Sequence, residues 1–401
     1  MAGPVFHLRP MGRLGNLMIE YMVALKFADM VRDCRLSNII MPAWNIDHPA
    51  LDSAGPAAVE QREQYIDLPA LAERVRSGQI NRVEWTGFGQ RLENLLARDR
   101  YQAVFRSPFE TAMGFGPEYL VCPIRAEDVL TGPNPDYVLT PMEFYRDIAK
   151  MTGLRPVFIG HTEPNAYMDR IRAAFPDAIY RPPQHHPLID FETIRQSRHL
   201  AIGVSTYAWL AAWLSRTAET IHLAVNGLFN PMQKPDVDLL PFGDARFRFW
   251  LFPINYAVPL ARHAELHRRI APYWRLMSHA ELRQQFAAAP RFPLDLDQAL
   301  AVFDEAFYLE TNADVAALGQ TLGPGFARAH YARHGFHEGR LPMRLDPVWY
   351  ASEYPLAGFE VAQGDYAEFA HHYMAVGKAR GYRAFPGGRA LPGGIEADVE
   401  C

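Results

Sequence analysis

FETIRQSRHLAIGVSTYAWLAAWLSRTAETIHLAV, residues 191–225, decides what kind of fold this chain can adopt. It reads in turn as a helix, an apolar strand at Leu200–Ile202, a turn at Gly203–Ser205, a second helix and a second strand at Thr220–Val225. Upstream, the same alternation runs through EYLVCPIRAED (118–128), PMEFYRDIAKMTG (141–153), RPVFIGH (155–161) and NAYMDRIRAAFP (165–176). Strands alternating with helices in this way build a parallel sheet covered on both faces.

The N-terminus begins the same way. Val5–Leu8 reads as a short strand, ended by Pro10 and a turn at Gly12. In GRLGNLMIEYMVALKFADM (12–30), Leu17, Tyr21, Leu25 and Ala28 recur at helical spacing, which predicts a helix with one buried stripe and Asn16 as its N-cap. Strand, glycine turn and helix form the opening of a Rossmann-like unit. Weaker patterns predict helices around 69–77 and 90–98.

Composition narrows the function. The 401 residues are 49% hydrophobic and 21% charged, as in an ordinary globular protein, and at this length they divide into two or more domains. A net charge of −5 supplies no summed positive field for a phosphate backbone, so nucleic acid is not an expected partner. Cys34, Cys122 and Cys401 are scattered and form no CxxC pair, which suits a reducing cytoplasm. MAGPVFHLRP has no leader pattern, and the most apolar stretch, 199–214, is too short and too interrupted to span a bilayer. Peripheral membrane contact stays open.

Beyond residue 300 the chain resembles itself. FDEAFYLETNADV (from 303) aligns with LDPVWYASEYPLA (from 345), and HYARHGFHEGR (from 330) with HYMAVGKARGY (from 372), all at an offset of 42 residues. Two copies of one small helical unit follow from that offset. The expected organisation is therefore a Rossmann-like domain at 1–120, a second at 121–255, a helical linker at 256–300, two repeats at 301–386 and a disordered glycine-rich tail at 387–401. The repeats resemble short units appended to bacterial glycosyltransferases and to some secreted proteins; packing their aromatic residues into a small core is the simplest job for Phe307, Tyr308, Tyr331, Trp349 and Tyr350.

Two stretches carry a wider resemblance. Gly12, Arg13, Leu14, Gly15 and Asn16 resemble the GRLGNQ turn of the bacterial α-1,2-fucosyltransferases and their O-fucosyltransferase relatives, and Ser205, Thr206, Trp209, Ala212 and Leu214 match that family's S-T-x-x-W-x-x-A-x-L stretch. The resemblance covers about residues 5–30 and 120–230. It implies a GT-B-like α/β fold, two facing Rossmann-like domains with 1–120 on the acceptor side and 121–255 binding the nucleotide sugar, and metal-independent, inverting sugar transfer from a nucleotide-diphosphate donor, GDP-fucose by analogy, to a glycan or glycoconjugate in surface polysaccharide assembly. A transferase for another nucleotide sugar, or a non-catalytic carbohydrate- or protein-binding module on the same fold, are the alternatives.

The family's H-x-R-R-G-D motif falls on Pro123, Ile124, Arg125, Ala126, Glu127 and Asp128, so one arginine and the aspartate remain. Arg125 can clamp a pyrophosphate with its planar fork. Glu127 and Asp128 join it as catalytic candidates, with Glu20 as a further candidate for general base. Ser205 and Thr206 stand where a helix start attracts an anion, although capping is the simpler use of such residues. Gly12, Arg13, Gly15, Asn16 and His161 complete the donor-binding set. His161 ends a strand on the side where α/β proteins bind ligands. No metal site is expected: the pairs Asp236/Asp238 and Asp295/Asp297 read as loop or cap residues, and His185-His186 has no third ligand at suitable spacing.

Overall fold

The computed structural model describes residues 3–51, 56–61, 64–107, 109, 114–126, 128–131, 136–288, 290–323 and 325–388. It is a mixed α/β chain built on two separate parallel sheets. The first uses β1 (Val5–Leu8), β2 (Arg35–Ser37), β5 (Ala57–Gln61) and β6 (Arg82–Thr86) in the order β2-β1-β6-β5. Between β1 and β2 runs α1 (Leu14–Met30), and a small hairpin of β3 (Ile39–Met41) and β4 (Ile46–His48) follows. The helices α2 (Leu68–Arg76) and α3 (Arg98–Val104) complete this unit.

The helix expected around 90–98 is instead a 3-10 turn at Leu92–Asn94 followed by α3. In α1 the expected single stripe is also replaced: Met18, Ile19, Tyr21, Met22, Val23 and Phe27 are all buried, while Leu17, Leu25 and Ala28 are only partly covered. One helix is enclosed on several sides because it packs both on its own sheet and on a helix of the second unit.

The second sheet has the order β13-β12-β11-β10-β7-β8-β9. Its members are β7 (Tyr119–Ile124), β8 (Arg155–Gly160), β9 (Ile179–Tyr180), β10 (His199–Ile202), β11 (Thr220–Val225), β12 (Phe247–Leu251) and β13 (Arg275–Met277). Crossover helices are α4 (Met142–Thr152), α5 (Ala166–Ala174), α6 (Pro187–Gln196) and α7 (Thr206–Trp213). The central strands read as unbroken apolar runs, for instance Val121-Cys122, Val157–Ile159 and Leu200–Ile202, all buried, because both faces are covered. The 256–300 stretch, expected as a helical linker, carries α8 (Leu260–Ile270), α9 (His279–Ala287) and α10 (Leu296–Leu300) but also β13, which closes one edge of the sheet antiparallel to β12. Three residues of strand between helices leave too little pattern to be read in advance.

Both sheets have a switch point. In the second, the chain enters at β7, builds β8 and β9 on one side, then returns to place β10 on the other. In the first, β1 is followed by β2 on one side, while β5 and β6 fill the other. Such reversals open a crevice at the carboxyl ends of the flanking strands. The residues after β1, β6, β7 and β10 are therefore the ones placed to meet a ligand.

The C-terminal region consists of α11 (Glu305–Thr311), α12 (Ala313–Leu322), α13 (Phe326–His330), α14 (Pro347–Glu353), α15 (Pro355–Ala362) and α16 (Phe369–His372). Single π-helical turns at Tyr331–Gly335 and Tyr373–Gly377 follow α13 and α16. The Tyr308 hydroxyl and His330 Nδ1 lie 3.1 Å apart, and 42 residues on the Tyr350 hydroxyl meets His372 Nδ1 at 2.9 Å. The second set docks on the sheet unit: Ile254 N–H donates to the Gly358 carbonyl at 2.9 Å, and Arg269 holds the Ser352 and Glu353 carbonyls. Of the expected tail at 387–401, residues from 389 onward lie outside the described residues.

Candidate active site

The two crevices share one cavity. Its volume is about 700 Å³, within the usual range for a small-molecule site, and it is lined from the first unit by Gly12–Asn16, Gln64, Phe88 and Gln90. From the second unit come Pro123–Arg125, Asp136, Tyr137, Ile159–His161, Asp190, Ser205–Ala208 and Lys234. Gly12, Arg13, Gly15, Asn16, Arg125, His161, Ser205 and Thr206 thus come together around one space.

Three points of geometry define how they meet. First, α1 starts at Leu14 with Arg13 as N-cap, so Asn16 lies inside the first turn and does not cap. Its Oδ1 instead accepts from Thr206 Oγ1 at 3.0 Å and from Gln90 Nε2 at 3.1 Å, which ties both units together across the cavity. Second, Ser205 is the N-cap of α7, accepting from the Ala208 N–H at 3.2 Å. With Ser205 capping and Thr206 bonded to Asn16, what the α7 start directs at the cavity is its N–H groups and the positive end of its dipole. Third, Glu20 is fully buried behind the turn, where both carboxylate oxygens accept from the Met11 N–H at 3.2 and 3.3 Å. Glu20 braces the turn and does not line the cavity, so the structure gives it no general-base position. Burial pushes its carboxyl up to about 8, with the Met11 hydrogen bond opposing.

The α1 and α7 starts touch. A Cβ on Gly15 would lie 2.7 Å from the Tyr207 backbone nitrogen and 2.9 Å from its Cα, so only glycine allows this approach. Gly12 takes φ +73°, a left-handed conformation that other residues adopt at a cost. These two glycines bring two positive helix ends to one point.

Arg125 follows β7 with its guanidinium 4.1 Å from the centre of the Tyr137 ring, a cation–π contact that fixes the plane of the fork. His161 Nδ1 accepts from the Ala126 N–H at 3.2 Å, so this imidazole spans the ends of β8 and β7. Asp190 presents Oδ1 without a hydrogen bond, 3.8 Å from Arg181. Burial raises its carboxyl above the ordinary range, with Arg181 and His161 opposing. Asp136 is likewise raised by burial, eased by its hydrogen bond to Gln233 and by Lys234. Asp128 opens the 3-10 turn Asp128–Thr131, and Glu127 lies outside the described residues.

No family model and no curated protein matches the chain. Among solved structures it is similar to the bacterial iron-containing dodecameric glycosyltransferase TibC from enterotoxigenic E. coli H10407, with 14% identity and a TM-score of 0.29. The match covers 56% of this chain and 58% of that one, so it spans less than two thirds of TibC. A likeness at that level decides neither fold nor activity.

Gln64, Gln90, Asp136, Asp190 and Lys234 were missed by sequence reasoning. Gln64 Oε1 accepts from the Gln90 N–H at 2.8 Å, and this pair buttresses Asn16, but both glutamines sit in loops with no periodic or motif signal. Asp190 had a faint one, as an acid among the apolar positions of FETIRQ's preceding turn. Of the acidic pairs, Asp295 caps α10, as read from its segment, while Asp236 and Asp238 belong to a loop that returns to the first unit. Among the described residues, no three His, Cys, Asp or Glu side chains gather as metal ligands, and no helix is long and apolar enough to cross a membrane.

Proposed function

We propose that this chain is a glycosyltransferase of GT-B type that moves a sugar from a nucleoside-diphosphate donor to a glycan or glycoconjugate acceptor. The observation that supports it is the convergence of two helix starts and the Arg125 guanidinium on a single cavity between the two sheets. A diphosphate is the anion such a place suits. Backbone N–H groups and helix dipoles meet its oxygens, and Arg125 adds a bidentate fork. In sugar transfer the developing charge lies on the departing diphosphate, so these fixed donors stabilise the transition state more than the ground state. Arg13 and Lys234 add further cations to the lining.

The acceptor hydroxyl gives up a proton to a carboxylate at the cavity. Asp128 and Glu127, from the family motif, and Asp136 and Asp190, from the cavity lining, are the candidates. Fucose, a guanine base, inversion and metal independence are carried by the family resemblance. Asp190 and His161, both in the cavity lining, suit a purine base with exchangeable N–H groups. The direct test is thermal shift with GDP, UDP, ADP and CDP, followed by donor hydrolysis. GDP is expected to stabilise the chain selectively, and Arg125→Ala is expected to weaken GDP binding about 10- to 100-fold through loss of about 1.5–3 kcal/mol. An Arg125→Ala chain that binds GDP as the parent does removes the clamp from the reading.

A non-catalytic binding module is the second reading. Pro123 lines the cavity where the family carries histidine, and Ala126 replaces an arginine, so half of the usual motif charge is missing. Selective nucleotide binding with no turnover of any donor favours that outcome.

A further inference from the structure

A second cavity lies along α1. Lys26 is ten residues beyond Asn16, about 15 Å along the helix, and there it helps line a space of about 430 Å³ with Tyr65, Asp67, Glu93 and Asn94. The ring of Tyr65 is held over the Arg91 guanidinium at 4.6 Å, yet the residue remains 48% exposed. Arg91 is fixed in turn by Glu93 at 2.6 Å and by the Asp236 carbonyl at 3.0 Å. Asn94, nearly fully buried, donates to the Gln64 and Gly89 carbonyls, and Lys26 holds the Glu93 and Leu95 carbonyls. The frame is braced throughout while its largest aromatic surface faces water.

The same two segments form both cavities: Gln64 and Gln90 line the first, and their chain neighbours Tyr65 and Arg91 shape the second. We propose that the second cavity holds the distal sugars of the acceptor glycan, with Tyr65 as the stacking platform; this rests on the glycosyltransferase reading. The negative face of an aromatic ring attracts the polarised C–H groups on one face of a pyranose. Carboxylate and carbonyl oxygens at the rim accept from sugar hydroxyls. One lysine against two carboxylates makes the lining unsuited to a second polyanion, which points to an uncharged oligosaccharide. Binding energy gathered in the second cavity then orients the reacting hydroxyl in the first.

The experiment uses saturation-transfer NMR and calorimetry on the full chain with three probes: chitotetraose, mannotetraose and lacto-N-neotetraose. Wild type, Tyr65→Ala and Tyr65→Phe are compared, and urea melts check that each is folded. At least one tetrasaccharide is expected to bind wild type and Tyr65→Phe alike, and Tyr65→Ala about tenfold more weakly. No binding of any probe, or equal binding by Tyr65→Ala, overturns the site. GDP thermal shift on wild type is read in parallel. Tetrasaccharide binding at Tyr65 without any nucleotide shift overturns the acceptor assignment and the transferase reading together, whereas a GDP shift without tetrasaccharide binding removes this site alone.

Discussion

Replacing Gly15 by alanine tests the junction on which the cavity depends. The added Cβ meets backbone, 2.7 Å from the Tyr207 nitrogen, and ordinary contact begins near 3.4 Å, so α1 and α7 must part by about 0.7 Å. The Thr206–Asn16 bond, now 3.0 Å, then stretches to about 3.7 Å, beyond hydrogen-bonding range. Loss of a largely buried hydrogen bond costs about 1–3 kcal/mol, and overpacking costs about 1–3 kcal/mol more. Better helix propensity returns up to about 1 kcal/mol. The net expectation is a destabilisation of about 1–6 kcal/mol. Nucleotide binding should weaken as well, because the two helix starts no longer converge. Urea unfolding gives the first quantity and GDP calorimetry the second. A Gly15→Ala chain that is more stable than the parent, with unchanged GDP affinity, would refute the reasoning, since propensity alone would then be operating.

Three further outcomes follow from buried groups. Glu20 titrates near 8 in the fold against 4.5 when unfolded, so the folded chain binds the extra proton between those values and stability falls as pH rises through that window, by up to about 1.4 kcal/mol per pH unit. Glu20→Gln keeps an acceptor for the Met11 N–H, and urea melts from pH 5 to 7.5 should show that slope removed. His222 is lowered by burial from 6.5 to about 4, with its Nδ1 accepting from the Trp250 indole at 3.1 Å. Its contribution is complete above pH 6.5 and is lost as pH falls toward 4, so His222 should stay neutral at pH 5.5 by NMR titration. Tyr350→Phe should cost about 1–2 kcal/mol in chemical denaturation, more than Tyr308→Phe. The difference arises because His372 is fully buried and also donates to Glu360 at 2.7 Å, while His330 is only partly covered.

The strand–helix alternation of 191–225 was legible because strands enclosed on both faces are unbroken apolar runs, and glycine and serine mark the turn between them. The position of Ser205 at a helix start was legible for the same reason, and so was the offset of 42 residues that separates Tyr308 from Tyr350. Asn16 was misread. An asparagine before an apolar run signals a cap, but tertiary contact with Thr206 and Gln90 claims its side chain and shifts the helix start to Leu14. Glu20 was read as a possible base because a carboxylate near a glycine turn has two uses, and only packing shows it turned inward. Gln64 and Gln90 left no trace, since a loop residue's role depends on what the fold brings opposite it. β13 is set by an edge left open on β12, which no three-residue pattern can announce.

The loop around Asp236–Asp238 crosses from the second sheet unit back to the first. Asp238 N–H donates to the Gln90 carbonyl, Leu92 N–H donates to the Asp238 carbonyl, and Arg91 reaches Asp236. Any chimera spliced near residue 120 would separate these partners along with Asn16 and Thr206, leaving each half with exposed stubs of the other. Exchange of either sheet unit should therefore move the 233–240 loop and its receiving segment at 89–92 as one cassette.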